Sequence, residues 1–132
     1  MLKGSCLCGK VTYQYDDEIE EVSMCHCQDC QKAQGSAFAA VAPIQSSAFS
    51  ITQGEELLTS FRATPDKERV FCQVCGSPLY SARDNLPGVK RLRLGTLDTP
   101  VEAPNRYHVF ISSKAPWFEV SDGLPQFERF KI

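Results

Sequence analysis

At 132 residues, with 14 basic against 16 acidic side chains, the chain carries a formal net charge of −2. That balance argues against a protein that lives on phosphate backbones, which needs a basic excess. With 42% hydrophobic and 23% charged residues the chain is neither disordered nor fibrous, and no apolar run approaches the ~20 residues of a membrane span.

The length predicts one domain over residues 1–132, able to bury ~65–70% of its unfolded surface. The stretch Met1-Leu2-Lys3-Gly4-Ser5-Cys6 has no apolar leader pattern, so the expected compartment is a reducing cytoplasm. Val11 to Tyr15 alternates and reads as a half-buried strand. One or two helical turns are expected from Asp29 to Gln34, stopping at Gly35. Phe38 to Val41 is a continuous apolar run, Phe49 and Ile51 alternate, and Leu57 to Phe61 forms a further strand candidate. Arg91 to Leu94 and Tyr107 to Ile111 alternate again. Eight prolines and eight glycines punctuate the chain into pieces too short for helices. The expected fold is therefore all-β, a compact sandwich or barrel-like arrangement with one short helix.

The seven cysteines carry the chemistry. They fall into Cys6-x-Cys8, Cys25-x-Cys27-x-x-Cys30 and Cys72-x-x-Cys75. A disulfide framework fits poorly with an odd count and a reducing compartment. Thioredoxin-like redox chemistry wants a βαβ setting that the pattern lacks. Metal binding, and zinc first, accounts for the spacing best.

Seven divides as four plus three. A structural zinc is closed by four protein ligands, whereas a catalytic zinc keeps three and leaves one position open. Cys8 and Cys75 are each followed by glycine, which lets the backbone turn around a metal as in a zinc knuckle. Cys6, Cys8, Cys72 and Cys75 are thus expected to form the closed site, a clip whose binding free energy becomes folding free energy. Cys25, Cys27 and Cys30 remain for an open site, with Cys30 in the first turn of the short helix. Three thiolates leave a zinc ion a weak Lewis acid but a good holder of a fourth thiolate, so the expected chemistry is thiol chemistry.

Among other candidates, His26 lies between two ligand cysteines and is expected to point away from them. His108 reads as a hydrogen-bonded strand histidine, with completion of the open site as the alternative. Trp117 is expected in the core or a pocket wall. Lys90, Arg91 and Arg93 form a basic stripe, one charge of which could hold a carboxylate. Asp29 and Asp98 are possible acid/base groups, or caps.

Six ordered motifs carry a family resemblance. Gly4-Ser-Cys-Leu-Cys-Gly9, Cys25-His-Cys-Gln-Asp-Cys-Gln-Lys-Ala-Gln-Gly-Ser-Ala-Phe38 and Phe71-Cys-Gln-Val-Cys-Gly-Ser77 come first. Gly95-Thr-Leu-Asp98, His108-Val-Phe-Ile-Ser-Ser-Lys-Ala-Pro-Trp117 and Asp122-Gly-Leu-Pro-Gln-Phe127 follow. Together they resemble the glutathione-dependent formaldehyde-activating enzymes and their relatives, and in length the short members. The resemblance implies an Mss4-like all-β fold with two Zn²⁺ per chain. It places the structural zinc on Cys6, Cys8, Cys72 and Cys75 and the catalytic zinc on Cys25, Cys27 and Cys30. It also implies a carbon–sulfur lyase-type enzyme that adds formaldehyde, or removes it, at a thiol such as glutathione.

The expected partner is therefore a small thiol, with neither nucleic acid nor membrane. The rival class is a non-catalytic zinc module that binds a protein partner or senses a thiol or metal. A nucleic-acid zinc ribbon is disfavoured by the charge balance.

Overall fold

The computed structural model of the protein describes residues 1–131. Ten strands occur in chain order: β1 (Leu2–Ser5), β2 (Thr12–Tyr15), β3 (Glu21–Cys25), β4 (Ala39–Gln45), β5 (Phe49–Gln53), β6 (Leu58–Thr64), β7 (Lys67–Cys72), β8 (Pro78–Arg83), β9 (Val89–Arg93) and β10 (Asn105–Val109). The α-helix among the described residues is α1 (Gln28–Gln34). It stays short because Gly35 turns left-handed (φ 61°) and its N–H closes on Gln31 O, the usual glycine stop.

The strands form two sheets. One has the order β1-β2-β5 and the other β10-β3-β4-β9-β8-β7-β6. Neighbours run antiparallel, except that β10 lies parallel to β3 with Val109 opposite Cys25. Neither sheet closes into a barrel. The all-β expectation with one short helix holds, and the architecture is two open sheets packed together.

The main core lies between the sheets. Tyr13, Leu79, Leu92, Val11 and Cys72 are fully buried there, with Ile44 and Met24 alongside. Burying a side chain the size of Leu92 contributes ~1.5–3 kcal/mol. A smaller cluster sits on the opposite face of the large sheet, where Cys25, Cys30, Ala39, Val41 and Val109 pack together. The alternation of β9 explains this division. Leu92 faces the main core, and Arg91 and Arg93 face the other way, as a period of two requires. Lys90 shares the Leu92 side and lies over the Tyr80 ring at 5.3 Å. The stripe read from the sequence as one basic face is therefore two.

Among the described residues no helix is long and apolar enough to cross a membrane.

Candidate functional site

The N-terminal strand and the end of β7 carry the first cysteine group. Cys6 follows β1, and the backbone turns back at Gly9 (φ 78°), where Gly9 N–H donates to Cys6 O. Cys72 ends β7, and the chain turns at Gly76 (φ 79°), whose N–H donates to Cys72 O. The two loops are built alike, and glycine at each turn avoids the Cβ penalty of positive φ. They meet at their sulfurs: Cys6 Sγ and Cys8 Sγ lie 3.5 Å apart, and Cys8 Sγ and Cys72 Sγ 3.9 Å apart. All four ligand atoms, Cys75 included, fall within 4.8 Å of one another.

Four sulfurs around a tetrahedral zinc at ~2.3 Å lie ~3.8 Å apart, so the spacing fits such an ion. The surrounding donors fit as well. Val11 N–H donates to Cys6 Sγ at 3.3 Å, and Ser77, by its hydroxyl and backbone N–H, pulls the Cys75 thiol down to about 5. Thiolates are what a metal needs.

The second group is local. Cys25 ends β3, Cys27 caps α1 and Cys30 lies in its first turn. Cys27 Sγ accepts from Cys30 N–H at 3.4 Å, and the three sulfurs again lie within 4.8 Å of one another. The segment between them is pinned from outside. His26 N–H donates to Val109 O, and Gln31 Nε2 donates to both His26 O (2.7 Å) and Ser113 O (2.9 Å). The thiols of Cys25 and Cys27, and then the guanidinium groups of Arg93 and Arg69, hold Cys30 far below the ordinary thiol value. This group too fits a thiophilic ion, with three donors where the first group has four. All seven cysteines are free of disulfides.

The two groups differ in what lies next to them. The three-cysteine group opens on a cleft of about 850 Å³ that Cys25, Cys27 and Cys30 all line. Its floor is the face of the large sheet that carries Val41, Arg91 and Arg93, and β7 contributes Lys67 and Arg69 to its wall. Arg69 Nη2 reaches Cys30 Sγ at 3.9 Å, and Arg93 is buried, donating to Arg91 O and Ser81 Oγ.

Behind the cysteine loop, on the other face, a polar chain runs from two buried histidines to a surface carboxylate. His26 Nε2 and His108 Nδ1 are 2.8 Å apart, and His108 Nε2 is 2.8 Å from Asp122 Oδ2. The His108 contact holds the Asp122 carboxyl below its usual value. In the neutral tautomer of His108 that donates Nε2–H to an ionised Asp122, Nδ1 accepts from His26 Nε2–H. Burial, and after it His108 and Lys114, push His26 down, which keeps it neutral.

The sequence profile described as glutathione-dependent formaldehyde-activating enzyme matches residues 1–113. The chain belongs to this family. A Schizosaccharomyces pombe protein named an uncharacterized lyase is 31% identical over 83 residues, covering 63% of this chain. The chain spans 58% of the length of that relative. A crystal structure of a Rhodobacter sphaeroides protein superposes with a TM-score of 0.64 at 22% identity, covering 78% of this chain and 98% of the other. That likeness is one of fold.

In this family member the four-plus-three grouping of the cysteines matches the sequence expectation. His26 points away from the sulfurs, as expected, and His108 pairs with His26 and Asp122 and not with the cysteines. Trp117 is 70% exposed and belongs to no core. Asp98 accepts from Ser5 Oγ at 2.7 Å, tying β1 to the turn after β9. Asp29 lies exposed in the first turn of α1 at the rim of the cleft. Sequence reasoning missed Lys67, Arg69 and Asp122. The first two come to the site from β7, across three intervening strands, and no local pattern announces that.

Proposed function

We propose that the protein is a carbon–sulfur lyase-type enzyme of this family, whose three-cysteine zinc site takes the sulfur of a small thiol and joins it to a small aldehyde. Glutathione and formaldehyde are the leading pair. The observation that carries this reading is that Cys25, Cys27 and Cys30 bring three sulfur ligands together at the edge of a cleft, whereas Cys6, Cys8, Cys72 and Cys75 form a set of four.

A zinc ion on Cys25, Cys27 and Cys30 would hold a fourth thiolate in nucleophilic form. In the addition, a C–S bond forms, the carbonyl π bond becomes a C–O single bond, and the thiol proton ends on that oxygen. The reverse step returns thiol and aldehyde. The part played by this chain is to hold the three thiolates rigidly through Val109 O, Gln31 and the His26–His108 contact. Arg69, against Cys30, offsets the negative charge that a fourth thiolate brings. A zinc ion on Cys6, Cys8, Cys72 and Cys75 would serve the fold alone, clipping the N-terminal strand to the end of β7 in a single domain.

Zinc content and formaldehyde consumption, with and without glutathione, test the reading on the native protein and on Cys27→Ser. The variant should lose one of two zinc ions and all thiol-dependent turnover. Retention of both ions with full activity would refute the assignment. A native protein that turns over no thiol and aldehyde pair would instead be the non-catalytic zinc module.

A further inference from the structure

We propose that the cleft beside Cys25, Cys27 and Cys30 contains a carboxylate subsite built by Lys67, Arg69, Arg91 and Arg93, so that a reacting partner carries a carboxylate close to its reacting atom. This rests on the thiol reading of the same site and replaces its leading pair, since neither glutathione nor formaldehyde puts a carboxylate there.

The first observation is which cations are already compensated. Arg83 is paired with Asp66 at 3.6 Å, and Lys131 with Glu21 at 4.0 Å. Among the described residues, Lys67, Arg69, Arg91 and Arg93 make no ion pair with a carboxylate. Arg91 meets only the Ser23 hydroxyl, at 3.5 Å, and Arg69 Nη1 is buried without a hydrogen-bond partner. A buried donor left without a partner is costly, and a charged one is normally satisfied by something.

The second observation is charge. Three thiolates around a divalent zinc sum to about −1, and a substrate thiolate takes that to about −2. With Asp29 at the rim, about three negative charges face four unpaired cations. One positive charge is left over, the charge of one carboxylate. The crowding is visible in Lys67, which burial first and then Arg69 push down to about 8.

The third observation is position. Arg69 touches Cys30 Sγ and Arg93 lies buried under the same sulfur's side of the sheet. An anion that these groups bind lies against the thiolate cluster and not at the mouth of the cleft. In glutathione both carboxylates are separated from the sulfur by a peptide bond. A 2-mercapto acid or a 2-oxo acid aldehyde places the carboxylate where the guanidinium groups are. Arginine is suited to that contact because its planar fork accepts a carboxylate by two hydrogen bonds.

The test separates the two sources of the carboxylate. Calorimetry on the zinc-loaded protein compares mercaptoacetate with mercaptoethanol and cysteamine. Aldehyde consumption with mercaptoethanol as the thiol then compares glyoxylate with formaldehyde. A preference of roughly tenfold or more in the first comparison assigns the carboxylate to the thiol, and in the second to the aldehyde. The preference should fall below about threefold in the Lys67→Met/Arg91→Leu double variant, neither position contacting a cysteine. Zinc content measured alongside separates a lost subsite from a lost fold, and the charge series on the native protein decides the matter if the variant does not fold. Equal handling of charged and neutral probes in both comparisons overturns the subsite while leaving the thiol reading in place. Should no thiol bind, acetate titrated into the labelled protein still reads the subsite through the Arg69 and Arg93 side-chain resonances. Unmoved resonances then overturn it as well.

Discussion

His26 Nε2 and His108 Nδ1 stand 2.8 Å apart in the interior, although 82 residues separate them in the chain. The contact sets the side chain of the residue between Cys25 and Cys27 from the parallel strand next door. Through it, and through the 2.8 Å contact of His108 with Asp122, a surface carboxylate on a C-terminal turn orients the loop that carries the three thiolates. Partners of this kind hold metal-binding segments in place from behind.

His108→Ala should therefore weaken the three-cysteine site without touching the other. The substitution leaves His26 Nε2–H without its acceptor in a site that water does not reach, at a cost of about 3 kcal/mol in stability. Zinc affinity at Cys25, Cys27 and Cys30 should drop roughly 10–100-fold, read by competition with a colorimetric chelator. Release of both ions with equal ease would show that His108 supports the fold in general and the loop not at all.

The cysteine clusters were legible in the sequence because a thiolate metal site imposes short spacings that survive without any tertiary context. The glycines after Cys8 and Cys75 identified the knuckles for the same local reason: both take positive φ. The cleft was not legible. Lys67 and Arg69 reach it only because the large sheet brings β7 round toward β3, and strand order is a long-range property. Arg91 and Arg93 were legible as a basic stripe, one charge of which could hold a carboxylate, but alternation gives two faces and not which one is covered. Asp122 stands in a family motif, but its role stays hidden until His108 is seen beside it.

The two cysteine groups should respond differently to loss of one ligand. Cys72 is fully buried in the main core, so Cys72→Ser should remove one zinc ion and destabilise the fold by more than ~3 kcal/mol. Cys27 is only half-buried at the edge of the cleft, and Cys27→Ser should remove the other ion with a much smaller fall in melting temperature. Thermal denaturation with metal analysis on both variants gives the comparison, and equal destabilisation would contradict the division into a structural and a functional site.

Carboxylate recognition should weaken with alkali. Lys67, pushed down to about 8 from its ordinary 10.5, loses its charge as pH rises through that value, and the attraction it exerts on a carboxylate goes with it. A bound anion stabilises the ammonium and moves the midpoint somewhat upward. The affinity of mercaptoacetate relative to mercaptoethanol, a ratio in which the titration of the thiols largely cancels, should fall about fivefold between pH 7 and 9.5, a change of roughly 1 kcal/mol. In Lys67→Met the same ratio should be lower at pH 7 and flat across the range. A slope that survives in this variant would place the titrating group elsewhere.

Gly54 links the two knuckles, and its replacement should show it. The residue is left-handed at φ +79°, and a Cβ there would fall on the carbonyl oxygen of Lys10, just after the first knuckle. Leu57 N–H donates to Gly54 O at 2.9 Å, and Leu57 O accepts from Gln73 N–H inside the second knuckle. Gly54→Ala combines a left-handed alanine, ~1–2 kcal/mol, with a backbone clash that neither partner relieves by changing rotamer. A total loss of about 3 kcal/mol is expected. Gly88→Ala is the control: nothing lies within 4 Å of its added Cβ and its φ is not in the left-handed region, so its stability should stay within about 0.5 kcal/mol of the native protein or rise. If chelation of zinc abolishes the difference between the two variants, the strain at Gly54 acts through the knuckles. If the difference persists unchanged in the metal-free protein, Gly54 serves only the turn into β6.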